Sequence, residues 1–349
     1  MATVKLPAVR ADDAFGEQVR SHYTVEENSN KPVDLIAHDY YELATLNLEF
    51  GWNRKFHFGP YLDKEQSIRE ALAAHDHYQF LTMGVKPGMR GLDAGCGIGE
   101  PARDYVKWAD VHITGVTITQ FQVDRATQYA EEEGLSDKQM PFPDNTFDFV
   151  YAQEATVHAP ELRDVYTEIC RVLKPGGVFG VGEWCMTDKF DPKNEHHIDI
   201  RRRIERGNGI ANMKTTAEAL EEFKFAGYDI YHVEDHALKG LKERPWWSPL
   251  DANTKLFPTG KDWWTVYFLK PWVWRLARAF TWTAGKVGYQ SKVDTDTLLE
   301  ALNTQGQAMY GRKPENWVHP QPEKAKEAAI RVAAAAAAKT TTNGEAVVV

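Results

Sequence analysis

The chain has 349 residues, of which 43% are hydrophobic, and it carries a formal net charge of -9 at pH 7. A chain of this length can bury a full core and still leave material for a second lobe. The negative charge argues against a nucleic-acid partner, which would favour basic patches. Three scattered cysteines are too few for a disulfide framework, so we expect a reducing, intracellular environment.

The ends of the chain carry no predicted targeting or membrane segment. The first 30 residues are polar and lack the apolar run of a signal peptide. No apolar run reaches the roughly 18 residues that a membrane-spanning helix needs. The alanine-rich tail after Arg331 is typical of frayed helix and carries no predicted function.

Hydrophobic periodicity predicts two helices, Val33–Phe50 and Lys64–Gly84, ahead of an alternation of strands and helices. The predicted strands are Arg90–Asp93, Val111–Val116, Thr146–Ala152, Val178–Trp184 and Tyr228–Val233. The helices between them are Glu100–Trp108, Thr119–Gly134, Glu161–Leu173 and Thr215–Ala226. Such alternation predicts a parallel sheet that is covered by helices on both faces.

A glycine-rich loop follows the first predicted strand. Asp93 ends a short apolar run, and three glycines follow at Gly95, Gly97 and Gly99. Only glycine lets backbone N–H groups approach a ligand without a Cβ in the way. A strand, a tight glycine turn and a helix N-terminus together predict a nucleotide-type binding edge.

A second polar motif follows the third predicted strand, where Glu154 and His158 lie four residues apart. Open parallel sheets place ligands at the carboxyl ends of their strands, so both residues are candidate catalytic groups. The run His75-Asp76-His77 contains metal-ligating residue types. Adjacent residues on a helix do not share a face, so we predict no metal site there.

The composition changes after about residue 240. Seven of the eleven tryptophans lie between Trp246 and Trp282, and strands and helices no longer alternate. We interpret this part as a cap. Its aromatic and basic residues fit either the wall of an apolar pocket or an amphipathic segment at a membrane surface.

These motifs together resemble the sterol C-24 methyltransferases, which are class I S-adenosylmethionine-dependent enzymes. The resemblance runs from about Tyr41 to Pro314. Its most specific parts are a Phe-Gly-Trp signature and Glu-Ala-Thr-Val-His-Ala-Pro, where the family has cysteine in place of Val157. The segments that carry it are Leu48–Trp52 with Phe56–Phe58, His75–Tyr78, Leu92–Arg103, Glu154–Pro160, Glu183–Lys189 and Pro245–Leu250.

The resemblance implies an α/β fold with a Rossmann-like class I methyltransferase sheet. An N-terminal tail and helical lid would cover residues 1–69, the cofactor-binding domain 70–240, an aromatic-rich cap 241–318 and a low-complexity tail 319–349. S-adenosyl-L-methionine would be the cofactor. The residues implied to bind it are Asp93, Gly95, Cys96, Gly97, Gly99, Thr117 and Gln122.

The implied reaction is methyl transfer to a side-chain alkene of a sterol or related isoprenoid, which leaves a carbocation on the substrate. Aromatic faces and a carboxylate can stabilise such a cation, and Glu154 is the candidate carboxylate. His158 is the candidate base for the proton that must then leave. The residues implied to bind the lipid substrate are Phe50, Trp52, Phe56, Phe58, Trp246 and Trp247.

The sequence also departs from the family. Thr117 stands where a nucleotide fold usually has a carboxylate for the ribose hydroxyls. The junction Lys138–Gln139 omits an outer strand that the family has, so we predict an exposed sheet edge beyond Val111–Val116 and weaker cofactor binding. Ala308–Pro314 resembles the remnant of a shortened final strand.

Two other functions remain open at this point. The altered loop Thr117–Gln122 favours a methyltransferase of secondary metabolism slightly, and the missing strands favour a catalytically impaired lipid-binding protein. We expect a cytoplasmic protein, or one peripherally associated with the endoplasmic reticulum or lipid droplets. Contact with a membrane surface and self-association are both compatible with the sequence.

Overall fold

The computed structural model describes residues 54–117, 142–159, 161–208, 210, 212–244, 246 and 305–323, together with Thr45, Gln122 and Ala126. Most of the predicted helices Val33–Phe50 and Thr119–Gly134 therefore lies outside the described residues. So do Phe50, Trp52 and Trp247, three of the residues implied to bind the substrate.

The first described helix, α1, spans Ile68–Met83 within the predicted segment. Ser67 caps its N-terminus in a capping box with Glu70, and Gly84 ends it in the left-handed conformation. The helix buries Asp76, a charged residue, on the same face as Phe80. A carboxylate on a buried face needs partners, and these prove to lie at the candidate site.

Strands and helices then alternate much as the sequence predicts. The strands are β1 Arg90–Ala94, β2 His112–Val116, β3 Phe147–Gln153, β4 Leu173–Trp184, β5 Asp229–Asp235 and β6 Gln305–Arg312. The further helices are α2 Glu100–Ala109, α3 Leu162–Val172, α4 Glu195–Asn208 and α5 Thr216–Phe225. Short 3₁₀ turns cover Thr156–His158 and His236–Leu238.

The six strands form one sheet in the order β2-β1-β3-β4-β6-β5. The first four run parallel, and β6 lies antiparallel between β4 and β5. The carboxyl ends of β1 and β3 are therefore neighbours, since Asp93 pairs with Tyr151. This arrangement brings the glycine loop after β1 next to the polar motif after β3.

Both faces of the sheet are covered, as a parallel sheet requires. Because side chains alternate along a strand, Val150 and Ala152 pack with α3 and α5, whereas Phe149 and Tyr151 pack with Phe80 of α1. The helical covering of both faces confirms the predicted α/β architecture.

The final strand corrects one prediction. Ala308–Pro314 is not the remnant of a shortened strand, because β6 has eight residues and pairs along its length with β4 and β5. Its first residues, Gln-Gly-Gln, are not strand-favouring types, so the sequence does not predict a strand there. These residues lie in the sheet, although the sequence placed them within the cap range 241–318.

Replacing Gly311 of β6 by alanine should destabilise the fold by about 1–3 kcal/mol, the usual cost of overpacking a core. A Cβ at this position would lie 2.5 Å from Cε1 of Phe223 and 2.7 Å from Cβ of Tyr228. Gly182→Ala on β4 is the control, since its Cβ would meet no atom within 4 Å. Urea unfolding checks this, and equal midpoints for the two variants would contradict it.

Strand β2 forms one edge of the sheet within the described part of the chain. The described residues 142–146 on the far side of the Lys138–Gln139 junction contain no strand. Residues 127–141 lie outside the described residues, so the absence of an outer strand stays a prediction.

Two local details differ from the sequence interpretation. Strand β4 begins at Leu173, directly after α3, so Lys174–Gly177 lies within the strand, where the register against β3 is irregular. Helix α4 has no predicted bounds, although the basic run Arg201–Arg203 is typical of a solvated helix face. Its Ile200 and Ile204 pack on Met186 and Met213, and so cover the end of the sheet near the Thr156–His158 turn.

Candidate active site

The loop after β1 has the backbone shape that its glycines predict. Gly95, Gly97 and Gly99 all adopt positive φ angles, of 100°, 53° and 74°. The N–H groups of Gly95 and Cys96 both donate to the Val116 carbonyl at 2.9 Å, which ties the loop to the end of β2. Helix α2 begins directly after the loop, with Gly99 as its N-cap and no side-chain cap.

The loop also lies directly against the segment after β3. A Cβ on Gly95 would lie 2.2 Å from Cβ of Ala155, so no other residue fits there. A Cβ on Gly97 would instead lie 3.5 Å from Cδ2 of Phe56, an ordinary van der Waals distance. Gly95 is therefore required by packing, whereas packing alone does not exclude a Cβ at Gly97, where the positive φ is what favours glycine.

Asp93 lies at the end of β1 and is almost fully buried. The Tyr151 hydroxyl donates to its Oδ2 at 2.6 Å. Burial raises the pKa of Asp93 to about 7, and the hydrogen bond from Tyr151 opposes that rise. Burial also raises the pKa of the Cys96 thiol well above its usual value, so this cysteine is a neutral packing residue.

Thr117 and Gln122 bond to each other. The Thr117 hydroxyl donates to Oε1 of Gln122 at 2.5 Å, and Nε2 of Gln122 donates to Thr45 at 3.1 Å. Gln122 is buried, and Thr117 is partly exposed. Thr117 directly follows β2, at the strand end where the sequence predicts ribose contacts. The role of the pair in those contacts stays a prediction.

An ion pair stiffens the same region. Arg103 of α2 donates to the Ile98 carbonyl at 2.7 Å and to Oε2 of Glu100 at 2.5 Å. Both charged residues are buried, so removing either one would leave an uncompensated buried charge. The sequence places both residues after the glycine loop but gives no sign that they bind each other.

A cavity opens beside the carboxyl end of β3, with about 450 Å³ of empty space that includes solvent at its mouth. The described residues that line it are His57, Phe58, Gly59, Pro60, His75, Gln153, Glu154, Gly182, Glu183, His236, Ala237 and Trp246. Glu154, Phe58 and Trp246 are therefore brought together as the sequence predicts.

Glu154 projects from a strained backbone. Its φ of 51° is in the left-handed region, which costs a non-glycine residue about 1–3 kcal/mol. Its Oε1 accepts the Phe58 N–H at 3.0 Å, and its Oε2 accepts the Trp184 indole N–H at 2.6 Å. Burial raises the pKa of Glu154 to about 7, while His57 and these two donors oppose the rise.

Trp184→Phe should therefore move the pH at which Glu154 ionises upward. The substitution removes one donor to the carboxylate, and a hydrogen bond to a charged group contributes about 1.5–3 kcal/mol. At 1.36 kcal/mol per pKa unit, the expected movement is about 1–2 units. Infrared titration of the carboxylate checks it, with Trp317→Phe as the control outside the cavity. An unmoved midpoint would show that Trp184 does not hold the charged form.

Behind the cavity, Asp76 is the centre of a buried charge cluster. Nζ of Lys55 lies 2.6 Å from its Oδ2 and 2.6 Å from Oδ2 of Asp104. Nε2 of His57 lies 3.0 Å from Oδ1 of Asp76, and the Gln153 amide donates to the same oxygen at 2.6 Å. Burial acts to raise the pKa of Asp76, but His57 and Lys55 hold it well below its usual range.

The protonation of His57 follows from its two partners. Nδ1 faces the Phe58 carbonyl at 3.1 Å and Nε2 faces the Asp76 carboxylate, so both ring nitrogens meet acceptors. Burial acts to lower the pKa of His57, but Asp76 outweighs it and the pKa is raised. The two acceptors that face its ring nitrogens thus favour the protonated form of His57. The charge cluster could not be predicted from the sequence, because Lys55, Asp76 and Asp104 are far apart in the chain.

Aromatic rings complete the wall. The Phe58 ring contacts Trp246 edge-on with centroids 4.6 Å apart, and it contacts Trp184 at 5.5 Å. Phe56 faces Gly97 rather than the cavity lining. The predicted role of Phe58 and Trp246 is thus compatible with their positions, while Phe56 lies nearer the glycine loop.

His158 has a different setting from Glu154. It is the last residue of the 3₁₀ turn after β3, and its N–H approaches the Ala155 carbonyl at 3.4 Å. It is partly exposed and is not among the described residues that line the cavity. Its role as a base stays a prediction.

The glycine loop fits S-adenosylmethionine. Its three glycines leave the loop backbone without side chains, and Asp93 lies buried at the root of the loop. Because Gly95 lies against Ala155, a ligand on this loop would be close to Glu154, the residue before Ala155. The residues that would hold it are Asp93 and the segment Gly95–Gly99.

The chain is similar to known methyltransferases in sequence and in fold. A family model described as a methyltransferase domain matches residues 92–181. Two solved structures share the fold over most of the chain. A geranyl diphosphate C-methyltransferase from Streptomyces coelicolor is 15% identical, with a TM-score of 0.57, and covers 81% of this chain and 99% of its own. The cyclopropane synthase MmaA2 from Mycobacterium tuberculosis is 16% identical, with a TM-score of 0.56, and covers 86% and 98%.

The fold and the loop thus define a class I S-adenosylmethionine-dependent methyltransferase. A sterol 24-C-methyltransferase of Aspergillus fumigatus is 43% identical over 307 residues, which are 80% of each chain. One of Neurospora crassa is 44% identical over 285 residues, 79% of this chain and 74% of its own. The chain belongs to the sterol 24-C-methyltransferase family.

Proposed function

We propose that this protein transfers the methyl group of S-adenosylmethionine to a side-chain alkene of a sterol or related isoprenoid, in a C-24-type methylation. The observation that carries the proposal is Glu154, a partly buried carboxylate that lines a cavity together with the aromatic rings of Phe58 and Trp246. Membership of the sterol 24-C-methyltransferase family supports the choice of substrate.

The reaction needs a pocket that tolerates positive charge on a hydrocarbon. Bound S-adenosylmethionine supplies an activated methyl group on a sulfonium, and attack by the alkene leaves a carbocation on the substrate. An isolated cation in an apolar pocket is costly. In its ionised form Glu154 offers a negative charge, and the Phe58 and Trp246 rings offer negative π-faces.

Three groups stabilise the ionised form of Glu154. His57, which also lines the cavity, interacts with it electrostatically, and the Phe58 N–H and the Trp184 Nε1–H donate hydrogen bonds to its two oxygens. These donors are in place before the substrate binds, which is the preorganisation that electrostatic catalysis requires.

Incubation of the full chain with radiolabelled S-adenosylmethionine tests the proposal. The acceptors to compare are a sterol with a Δ24 double bond, the same sterol with a saturated side chain, and a panel of phenols. We expect label only in the Δ24 sterol. Label in the phenols would favour a small-molecule methyltransferase of secondary metabolism. Absence of cofactor binding by calorimetry in a cooperatively folded chain would favour a lipid-binding protein.

We also propose that the protein touches a membrane surface when it takes up its substrate. The sequence segment that suggests this, Trp263–Trp282, lies outside the described residues. Among the helices that the structure describes, none is long and apolar enough to cross a bilayer. Flotation with vesicles of neutral and of anionic lipid tests the contact, and failure to float with either would contradict it.

A further inference from the structure

The methylated cation must lose a proton before an alkene product can leave, and the cavity contains a histidine to which the sequence assigned no catalytic role. His75 lies on α1 and lines the cavity together with Glu154. Its ring lies 5.6 Å from that of His57 and 4.8 Å from that of His236, centroid to centroid. Resting on the proposed function, we infer that His75 is the base that removes this proton.

The first argument is the availability of a lone pair. No hydrogen bond within the described part of the chain reaches a ring nitrogen of His75. Both ring nitrogens of His57 face acceptors, the Phe58 carbonyl and the Asp76 carboxylate, so neither is positioned to take a proton from the substrate. His236 lies close to Glu234, with its Nε2 2.9 Å from Oε1 of that residue.

The second argument is electrostatic. Three groups face His75 with positive or potentially positive charge, namely His57, His236 and Lys55, and Asp76 faces it with negative charge. Burial and the neighbouring histidines lower the pKa of His75 well below its usual value, so the ring is neutral. A neutral imidazole is the form that can accept a proton.

A weak base suffices for this step. A C–H bond next to a carbocation is strongly acidic, because its electron pair becomes the new C=C bond and cancels the charge. The step breaks that C–H bond, forms the alkene and moves the proton to a ring nitrogen of His75. The resulting imidazolium lies near His57 and Lys55, whose charges favour release of the proton and restore the base.

The third argument is placement. His75 and Glu154 line the same cavity, whereas His158 is not among the described residues that do so. His75 is held on a capped helix whose next residue, Asp76, is fixed by three side chains. A base on such a rigid element keeps its position between turnovers.

Product analysis of His75→Gln tests the inference. Without its base the cation should live longer and be captured by water, so we expect the ratio of methylated alcohol to methylated alkene to rise at least 10-fold. Single-turnover methyl transfer should fall less than 10-fold, and cofactor affinity by calorimetry should stay within twofold. His77→Gln is the matched control, since His77 is on the same helix but stacks on Trp108 outside the cavity.

A second variant allows chemical rescue. His75→Ala leaves space for imidazole, which should restore the alkene fraction in this variant and leave His77→Ala unchanged. A wild-type product ratio in folded His75→Gln and His75→Ala would overturn the inference. So would a raised alcohol fraction in His158→Gln or Glu154→Gln with none in the His75 variants. Wild-type protein that methylates no sterol would instead contradict the proposed function.

Discussion

Replacing Glu154 by glutamine should lower the rate of methyl transfer by roughly 100-fold or more while cofactor affinity changes little. The substitution keeps the shape of the side chain and removes the charge that faces the cavity. Removal of one preorganised electrostatic group typically costs about 3 kcal/mol of transition-state stabilisation. Single-turnover kinetics measure the rate, and calorimetry measures the affinity.

The pH profile gives the same prediction a second readout. Burial raises the pKa of Glu154 to about 7, so the carboxylate fraction grows as pH rises through that value. The rate should therefore rise with pH up to a plateau above about 8. The rate of Glu154→Gln should no longer rise with pH in this range, even though burial also raises the pKa values of Asp93 and Glu183 to about 7.

The control for Glu154→Gln is Glu222→Gln, which removes a carboxylate that pairs with Arg163 outside the cavity lining. Glu222→Gln should keep both the wild-type rate and the rise of that rate with pH. Joint loss of cofactor binding and turnover in Glu154→Gln would assign Glu154 to the cofactor. An unchanged rate would remove the electrostatic role.

Replacing Gly97 by valine should abolish binding of S-adenosylmethionine. The residue has a φ of 53°, which a β-branched side chain rarely adopts, and the two methyl groups would add bulk to a loop whose backbone N–H groups a ligand must approach. Gly97→Ala is the milder variant. Its Cβ would meet Phe56 at 3.5 Å, so it should fold and still bind the cofactor more weakly.

Gly84→Ala separates ligand obstruction from backbone strain. Gly84 has a φ of 70°, and a Cβ there would meet no atom within 4 Å. Both alanine variants should lose about 1–2 kcal/mol of unfolding free energy from the left-handed conformation. Only Gly97→Ala should lose affinity in calorimetry. Equal affinities in the two variants would place the cofactor elsewhere.

The sheet was predictable from the sequence where local signals were strong. Strands β1 to β5 each contain an apolar run that glycine or a helix bounds, and the glycine loop after β1 follows from its residue types alone. Strand β6 begins with Gln-Gly-Gln and owes its structure to the neighbours on both sides. Pairing of that kind is tertiary and leaves little trace in a local pattern.

The candidate site shows the same division. Glu154 was predictable because strand ends of a parallel sheet collect ligands. The cluster around Asp76 was not, because Lys55 and Gln153 reach it from segments 21 and 77 residues away. His75 was considered as a metal ligand from its neighbours in the sequence, whereas its position in the cavity depends on how α1 packs against the sheet.

The position of β6 between β4 and β5 has a consequence for folding while the chain is being synthesised. Strand β5 ends at Asp235 and has only β6 as a partner within the described sheet, yet β6 starts at Gln305. Strands β1 to β4 can pair while the chain is still being made, but β5 must wait until the ribosome has delivered residues far beyond it. Contacts of such high sequence separation form slowly, because a long loop must close first. Nascent chains shorter than about 305 residues should therefore expose an unpaired β5 and the bare flank of β4 to chaperones.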